Sequence, residues 1–333
     1  MTPERTAAEG AHAKQAPDNP SVSVLIAAYN AEAFLDRAVT SALQQSVPVK
    51  EVLVVDDAST DGTVAAVRKL AESNERIRLI CLSQNGGPSA ARNAGLDAAG
   101  GEWIAVLDAD DAFLPERLEQ MVAYGREVGA DIVLDNFRYY NAARRTIGRS
   151  ALDEQLPNAQ VSFADYLSRA RPYGAETDWG LLKPIFRRAF IEQHRLRYPL
   201  ETRHGEDFLF MCGAFMLGAR CALYRRPGYL YTSGASNLSR TVRDYRLMYQ
   251  HTRRLLRDER IASDPVLTRL MRERAAAVRR LAAEFDLARF SSSHDYNAIA
   301  RRMLADNTFR LIVAKRLIRR LLPRAKGPET RRH

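Results

Sequence analysis

Apolar and polar positions alternate along this chain in two rhythms. The first runs from SVSVLIAAY (21–29) through EVLVVDD (51–57) and IRLICLS (77–83) to EWIAVLD (102–108). Helical patterns at 32–44, 63–72 and 88–98 separate these runs. Short Val/Ile/Leu-rich runs spaced by amphipathic segments predict a parallel sheet with helices on both faces, an open α/β domain. From 130 to about 235 the alternation loosens. DIVLDNFRYYN (131–141) reads as a strand, 161–170 and 187–194 as short helices, HGEDFLFMCGAFMLGA (204–219) as a loop running into a buried helix, and CALYRRPGYLYT (221–232) as a strand ending in a turn. Beyond Arg240 the second rhythm takes over, with amphipathic helices expected at 241–258, 265–288, 293–304 and 308–322. The first 20 residues, rich in Ala, Pro and charge, read as a disordered leader. The expected organisation is therefore a leader (1–20), an α/β domain (21–239) and a helical region (240–333).

Charge sharpens this division. The 333 residues carry a net +10, but from Arg240 onward 24 Lys and Arg face 10 Asp and Glu, so the rest of the chain is slightly acidic. No apolar run approaches the roughly 20 residues that cross a bilayer, and the start lacks the apolar stretch of a secretory signal, so a cytoplasmic location is expected. Cys81, Cys212 and Cys221 stand singly and suggest reduced packing residues rather than a disulfide framework or a zinc site.

In open α/β sheets ligands sit beyond the carboxyl ends of the strands. Those positions hold Ala28-Tyr29-Asn30, Asp56-Asp57-Ala58-Ser59, Ser83 to Arg92, and Asp108 to Asp111. Turn and cap chemistry accounts for any one of them, but poorly for all four together. Packed carboxylates in LDADD call for a cation, and hard divalent ions such as Mg²⁺ or Mn²⁺ take oxygen ligands and complete their shells with substrate phosphates. Gly86 and Gly87 allow close backbone approach, Pro88 and Ser89 suit a helix start, and Arg92 is expected on its first turn, facing a diphosphate. No GxGxxG follows the first strand and no GxxxxGK[ST] occurs, so dinucleotide and P-loop readings lack their fingerprints.

SVSVLIAAYNAEAFLDRAVTSALQQ, VLVVDDASTDGT, NGGPSAARNAG and WIAVLDADD, in this order and spacing, resemble family 2 glycosyltransferases of the GT-A fold. The resemblance is strong over 21–125 and extends to about 235. LLKPIFRRAFIEQHRLRYP followed by GEDFLF is similar to the acceptor half of bacterial enzymes that assemble exopolysaccharides, including the succinoglycan type. This resemblance implies that Ala28, Tyr29, Asn30 and Asp57 hold the nucleobase, that Arg92 lies near base or phosphate, and that Asp108 and Asp110 touch ribose and metal, with Asp111 as a competing ligand. It places a catalytic base at Asp207, with Glu206 as the runner-up. Ala58 stands where the family usually has glycine. The implied reaction is inverting, metal-dependent transfer of a hexose, glucose first, from a UDP-sugar to a saccharide on a polyprenyl diphosphate at the inner leaflet. A nucleotidyltransferase shares the metal and nucleotide needs, and a catalytically silent sugar-nucleotide or polysaccharide-binding protein shares the site without turnover.

Other residues remain open at this stage. Asp178-Trp179 fits an acceptor platform or a half-buried loop, Lys183 and Arg187 a phosphate contact or a solvated helix start, and His204 a neighbour that tunes the acidic pair or a structural residue. In FRLIVAKRLIRRLL (309–322), Lys315, Arg316, Arg319 and Arg320 gather on one arc, opposite Leu311, Val313, Ala314, Leu317, Ile318, Leu321 and Leu322. Such a helix suits an anionic membrane surface or a seat on the catalytic domain. Nucleic acid is not an expected partner, because no binding motif appears and aromatics do not interleave the basic run.

Overall fold

The computed structural model describes residues 21–155, 157–172, 177–202, 204–233 and 245–321, with side chains to 318. The expected leader and the 239/240 boundary lie outside the described residues. The first half alternates β1 (Val22–Ala28), α1 (Leu35–Leu43), β2 (Glu51–Asp56), α2 (Thr63–Ser73), β3 (Ile77–Cys81), α3 (Pro88–Ala98) and β4 (Trp103–Asp108). Then follow β5 (Ala112–Phe113), α4 (Arg117–Glu127), β6 (Ile132–Asn141), β7 (Thr146–Ser150), β8 (Ala159–Val161), α5 (Phe163–Arg169), a 3₁₀ turn (Trp179–Leu181), β9 (Ile185–Arg187), α6 (Arg188–His194), α7 (Glu206–Met216) and β10 (Cys221–Ser233). The C-terminal helices are α8 (Tyr245–Leu255), α9 (Glu259–Ala262), α10 (Pro265–Ser292), α11 (Tyr296–Ala305) and α12 (Asn307–Leu321).

The strands form one sheet of order β3-β2-β1-β4-β9-β6-β10-β5, with β7 on β6 and β8 on β10. β1 pairs in parallel with β2 and β4, so their carboxyl ends are level, Ala28 opposite Asp56 and Ala27 opposite Asp108. Both faces of these strands are covered, which is why Val24 to Ile26, Val52 to Val55 and Ile104 to Leu107 read as continuous apolar runs. In α1, Leu35, Ala38, Val39 and Ala42 recur at helical spacing and face the core. The helix begins three residues later than the pattern suggested, after a turn at 32–34.

The short strands β5, β7, β8 and β9 leave little period to read. β9, inside LLKPIFRR, is antiparallel to both β4 and β6 and welds the two halves into one sheet. The RPG of CALYRRPGYLYT does not end its strand as expected. β10 runs on to Ser233 beside β6, with register irregularities at Pro227, which has no N–H for the ladder. Gly228 admits Arg117: a Cβ there would lie 2.6 Å from Arg117 Cγ and 2.8 Å from Asp135 Oδ2. Arg117 makes a two-pronged ion pair with Asp135, Nε to Oδ2 and Nη2 to Oδ1 both at 2.8 Å, with both side chains buried.

The C-terminal helices pack on this body. Ile261, Leu267, Leu270 and Met271 join the main core, while Arg274 lies 3.3 Å from the centroid of the Phe208 ring and donates to the Ala170 carbonyl. α8 meets α10 through Tyr245, Met248, Val278 and Ala282, and α12 meets it through Phe309 and Val313 against Ala283 and Leu287. Leu311, Leu317 and Ile318 remain exposed. The apolar arc expected on α12 is thus split between a packed seam and a bare strip. The side chains of Arg319, Arg320 and Leu321, and all of Leu322, lie outside the described residues.

Removing one partner of the Arg117–Asp135 pair leaves a buried charge uncompensated. Arg117→Met is expected to cost about 3–5 kcal/mol in urea unfolding, and Arg117→Met/Asp135→Leu no more than the single change. A double variant much weaker than the single one would refute this account.

Candidate active site

Two features meet where β1, β2 and β4 end. The first is a slot of about 120 Å³ lined by Ala27, Ala28, Tyr29, Asp57, Asn85, Gly87, Pro88 and Ala91. Its walls are mostly apolar, its rim is the half-exposed Tyr29, and its polar groups come from Asp57 and the loop before α3. Asp57 holds that loop: its Oδ1 and Oδ2 accept from the backbone N–H of Gly86 (2.7 Å) and Gly87 (2.8 Å), and its carbonyl accepts from Asn85 Nδ2. Gly87 takes φ +82°, open to glycine at no steric cost, and Pro88 then starts the helix. Ala58 has φ +56°, which explains physically why the family's usual residue there is glycine.

The second feature is a charge cluster. Arg92, on the second turn of α3 rather than the first, is buried and reaches three carboxylates: Asp108 Oδ1 at 3.0 Å, Glu206 Oε1 at 2.8 Å and Asp207 Oδ1 at 3.3 Å. Lys183 Nζ bridges Asp108 Oδ2 and Asp207 Oδ2, each at 2.8 Å. Burial alone raises the Asp108 carboxyl, but Lys183 and Arg92 outweigh it and hold that carboxyl at about 2. Glu206 and Asp207 open α7, where the helix N-terminus also favours negative charge.

Several residues stand elsewhere than the sequence suggested. Asn30 does not line the slot: its Oδ1 accepts from the Thr60 N–H (2.8 Å) and its N–H donates to Ser59 Oγ, so it ties two loops together. Asp111 is turned inward, accepting from Tyr229 Oη at 2.6 Å and the Thr232 N–H at 2.7 Å. Burial, then the nearby Asp108 and Asp110, push its carboxyl well above the usual range. It therefore anchors the acidic loop to β10 instead of facing the open edge. Asp110, partly exposed, stays on that edge, its carbonyl held by Arg37 of α1. Trp179 is buried under Arg169 and is no platform, while Asp178 caps its 3₁₀ turn. Arg187 pairs with Glu102 and Asp131 on the sheet, away from the cluster. His204 packs edge-on to Tyr245, and burial lowers its pKa against the pull of the neighbouring carboxylates.

Lys183 is the residue that sequence reasoning undervalued. Its only local signal was its place in LLKPIF, just before the strand that joins the two halves.

Residues 23–227 match the family described as Glycosyl transferase family 2. The chain belongs to this family. This family 2 glycosyltransferase is 38% identical over 224 residues to the succinoglycan biosynthesis protein ExoO of Rhizobium meliloti (strain 1021), covering 67% of this chain and 64% of that protein. It is 35% identical over 251 residues to ExoU of the same organism, covering 73% and 71%. The chain thus spans about two thirds of the length of these relatives. TarS of Staphylococcus aureus, a poly(ribitol-phosphate) beta-N-acetylglucosaminyltransferase, solved over residues 1–349 with UDP-GlcNAc, superposes with a TM-score of 0.60 at 25% identity, covering 81% of this chain and 73% of that one. The mixed sheet with its surrounding helices is the GT-A-like architecture of these neighbours.

Among the described residues, no three His, Cys, Asp or Glu side chains gather into a cage for a metal ion. Asp108 and Asp110 offer hard oxygens of the kind that Mg²⁺ or Mn²⁺ takes, with both Asp108 oxygens already paired to Arg92 and Lys183.

Lys183→Met is expected to lower stability at pH 7 by about 3 kcal/mol, since it strips a buried cation from two carboxylates. Asp108 has a folded-state pKa below its ordinary value, so its contribution is present above about pH 4 and lost as pH falls towards 2. The Tm deficit of Lys183→Met should therefore narrow below pH 4. An equal deficit at pH 3 and pH 7 would mean that Lys183 acts through packing alone.

Proposed function

We propose that this glycosyltransferase moves a hexose, glucose first among the candidates, from a UDP-sugar to a hydroxyl of a lipid-linked saccharide in exopolysaccharide assembly, inverting the anomeric carbon. One observation carries the reading: Asp207 and Asp108 share Lys183 Nζ, each at 2.8 Å, so a carboxylate of the second half sits one side chain from the strand end of the first. A donor bound at that strand end would have Asp207 beside its sugar.

The uracil would lie in the slot of Ala28, Tyr29 and Asp57, with the Asp57 carboxylate as the acceptor for the ring N–H. Asp108 would take the ribose, and Asp110 with Asp108 would hold Mg²⁺ or Mn²⁺. When bound, that ion neutralises charge on the leaving diphosphate. Asp207 takes the acceptor hydroxyl's proton as its oxygen bonds to the anomeric carbon, and the bond from that carbon to the diphosphate oxygen breaks. Glu206, held by Arg92, positions the start of α7 and is the lesser candidate for the base. UDP and UDP-GlcNAc in the TarS structures support UDP as the carrier, and the ExoO and ExoU relatives support the exopolysaccharide context. The acceptor would be a polyprenyl diphosphate saccharide, met at the inner membrane surface through the basic C-terminal helices. Among the described residues no helix is long and apolar enough to cross a membrane.

UDP release from UDP-glucose, UDP-galactose and UDP-GlcNAc, with Mg²⁺ or Mn²⁺ and then EDTA, tests this reading. Release should favour one sugar and fall at least about 100-fold with EDTA or in Asp110→Ala. Asp207→Asn should lower it by about 10²–10⁴ while UDP still binds. Asp111→Asn, altering an inward anchor, should lose less than Asp110→Ala. Unchanged release in Asp207→Asn, no UDP binding by the wild type, or pyrophosphate release from nucleoside triphosphates instead, would sink the proposal.

A further inference from the structure

A second groove lies away from the candidate active site. It has a volume of about 920 Å³, is floored by α10 and is walled by α8 and α12. Arg253, Arg272, Arg280, Lys315 and Arg316 line it, and among the described residues none of them forms an ion pair. Arg279 also faces it but is committed to Asp306 at 2.9 Å. The single acid on its walls is Glu284. Between the cations the lining is apolar: Leu256, Leu287 and Ile312. Leu311 on its wall, and Leu317 and Ile318 further along α12, are each more than half exposed.

This combination selects among occupants. Cations gathered in one groove repel one another and favour a multivalent anion between them. A free polyanion would find no use for the apolar lining or the bare leucines, whereas an acidic amphiphile uses both. The chain's own ends are poorly matched in charge: residues 322–333 carry Arg324, Lys326, Arg331 and Arg332 against one acid, Glu329, and the first 20 residues are close to neutral.

We propose that this groove seats the phosphate headgroups of acidic phospholipids and so docks the protein on an anionic bilayer, with Leu311, Leu317 and Ile318 lying in the interface. The assignment deepens the membrane part of the proposed function and is independent of the donor chemistry. Leu311 is itself part of the groove's wall, so charge and exposed apolar surface meet there.

Sedimentation of the full chain with vesicles tests it. Wild type should bind phosphatidylglycerol vesicles, release them as salt rises, and ignore phosphatidylcholine vesicles. Each basic residue at an anionic surface is worth about fivefold in binding, so Arg272→Ala/Arg280→Ala/Arg316→Ala should bind on the order of a hundredfold more weakly. UDP release without vesicles should be unchanged in that variant, which separates failure of the groove from failure of the glycosyltransferase reading. Leu311→Ser/Ile318→Ser should also weaken vesicle binding while keeping UDP release. The proposal is overturned if wild type fails to bind phosphatidylglycerol, if the arginine variant binds as well as wild type, or if neutral vesicles bind equally. Displacement by millimolar inorganic phosphate would make the groove a free-anion site, and binding that appears only after removal of 322–333 would make the chain's own tail the occupant. Either outcome also overturns it.

Discussion

The rest of the site depends on one network of charges: Arg92 and Lys183 shared among Asp108, Glu206 and Asp207. Arg92 and Asp108 come from the first half of the sheet, and the other three from the second. Burying an ion is costly unless its partners are well placed, so this network is satisfied only when the two halves sit in their observed relation. The cluster keeps one net negative charge, and Asp110 adds another on the open edge. The proposed divalent cation would meet that excess of negative charge.

The sheet makes the network rigid. β9 places Lys183 two residues before its first residue, Ile185, and pairs with both β4 and β6, so the lysine is fixed relative to Asp108 through the hydrogen-bond ladder. β10 performs the corresponding task for the acidic loop. Tyr229 and Thr232 hold Asp111, Tyr229 Oη also accepts from the Asp108 N–H, and Arg37 joins the Asp110 carbonyl to Thr232. The irregularity at Pro227-Gly228 is part of this device, since it admits Arg117, which reaches Asp135 and the Lys183 carbonyl.

What could be read from the sequence follows from how local each signal is. Strands buried on both faces announce themselves as apolar runs, so the level strand ends at Ala28, Asp56 and Asp108 could be read from the chain. Direction within a cluster could not. Asp110 and Asp111 are adjacent and chemically identical, yet Asp110 stays partly exposed while Asp111 is buried against Tyr229. The bonds of Asn30 to Ser59 and Thr60 were likewise not encoded in the apolar run before it. Lys183 was hidden by a different cause: a lysine is usually solvated, and only the carboxylates brought to it by distant segments justify its burial. On α12 the periodicity located the apolar arc but could not say how much of it α10 would cover.

The C-terminal helices bear on the catalytic side more directly than a separate appendage would. Tyr245 of α8 meets His204, and the Met248 methyl stands close enough to Gly205 that a Cβ there would be 3.0 Å away, so α8 braces the segment that leads into Glu206 and Asp207. Arg274 of α10 stacks on Phe208, one residue beyond Asp207. Two of the three helices that wall and floor the basic groove, α8 and α10, therefore also hold the start of α7. No hinge is needed between the two functions. A face that binds lipid and a carboxylate that meets an acceptor would share one frame, so orientation of the frame on a bilayer would also set the direction from which an acceptor approaches Asp207.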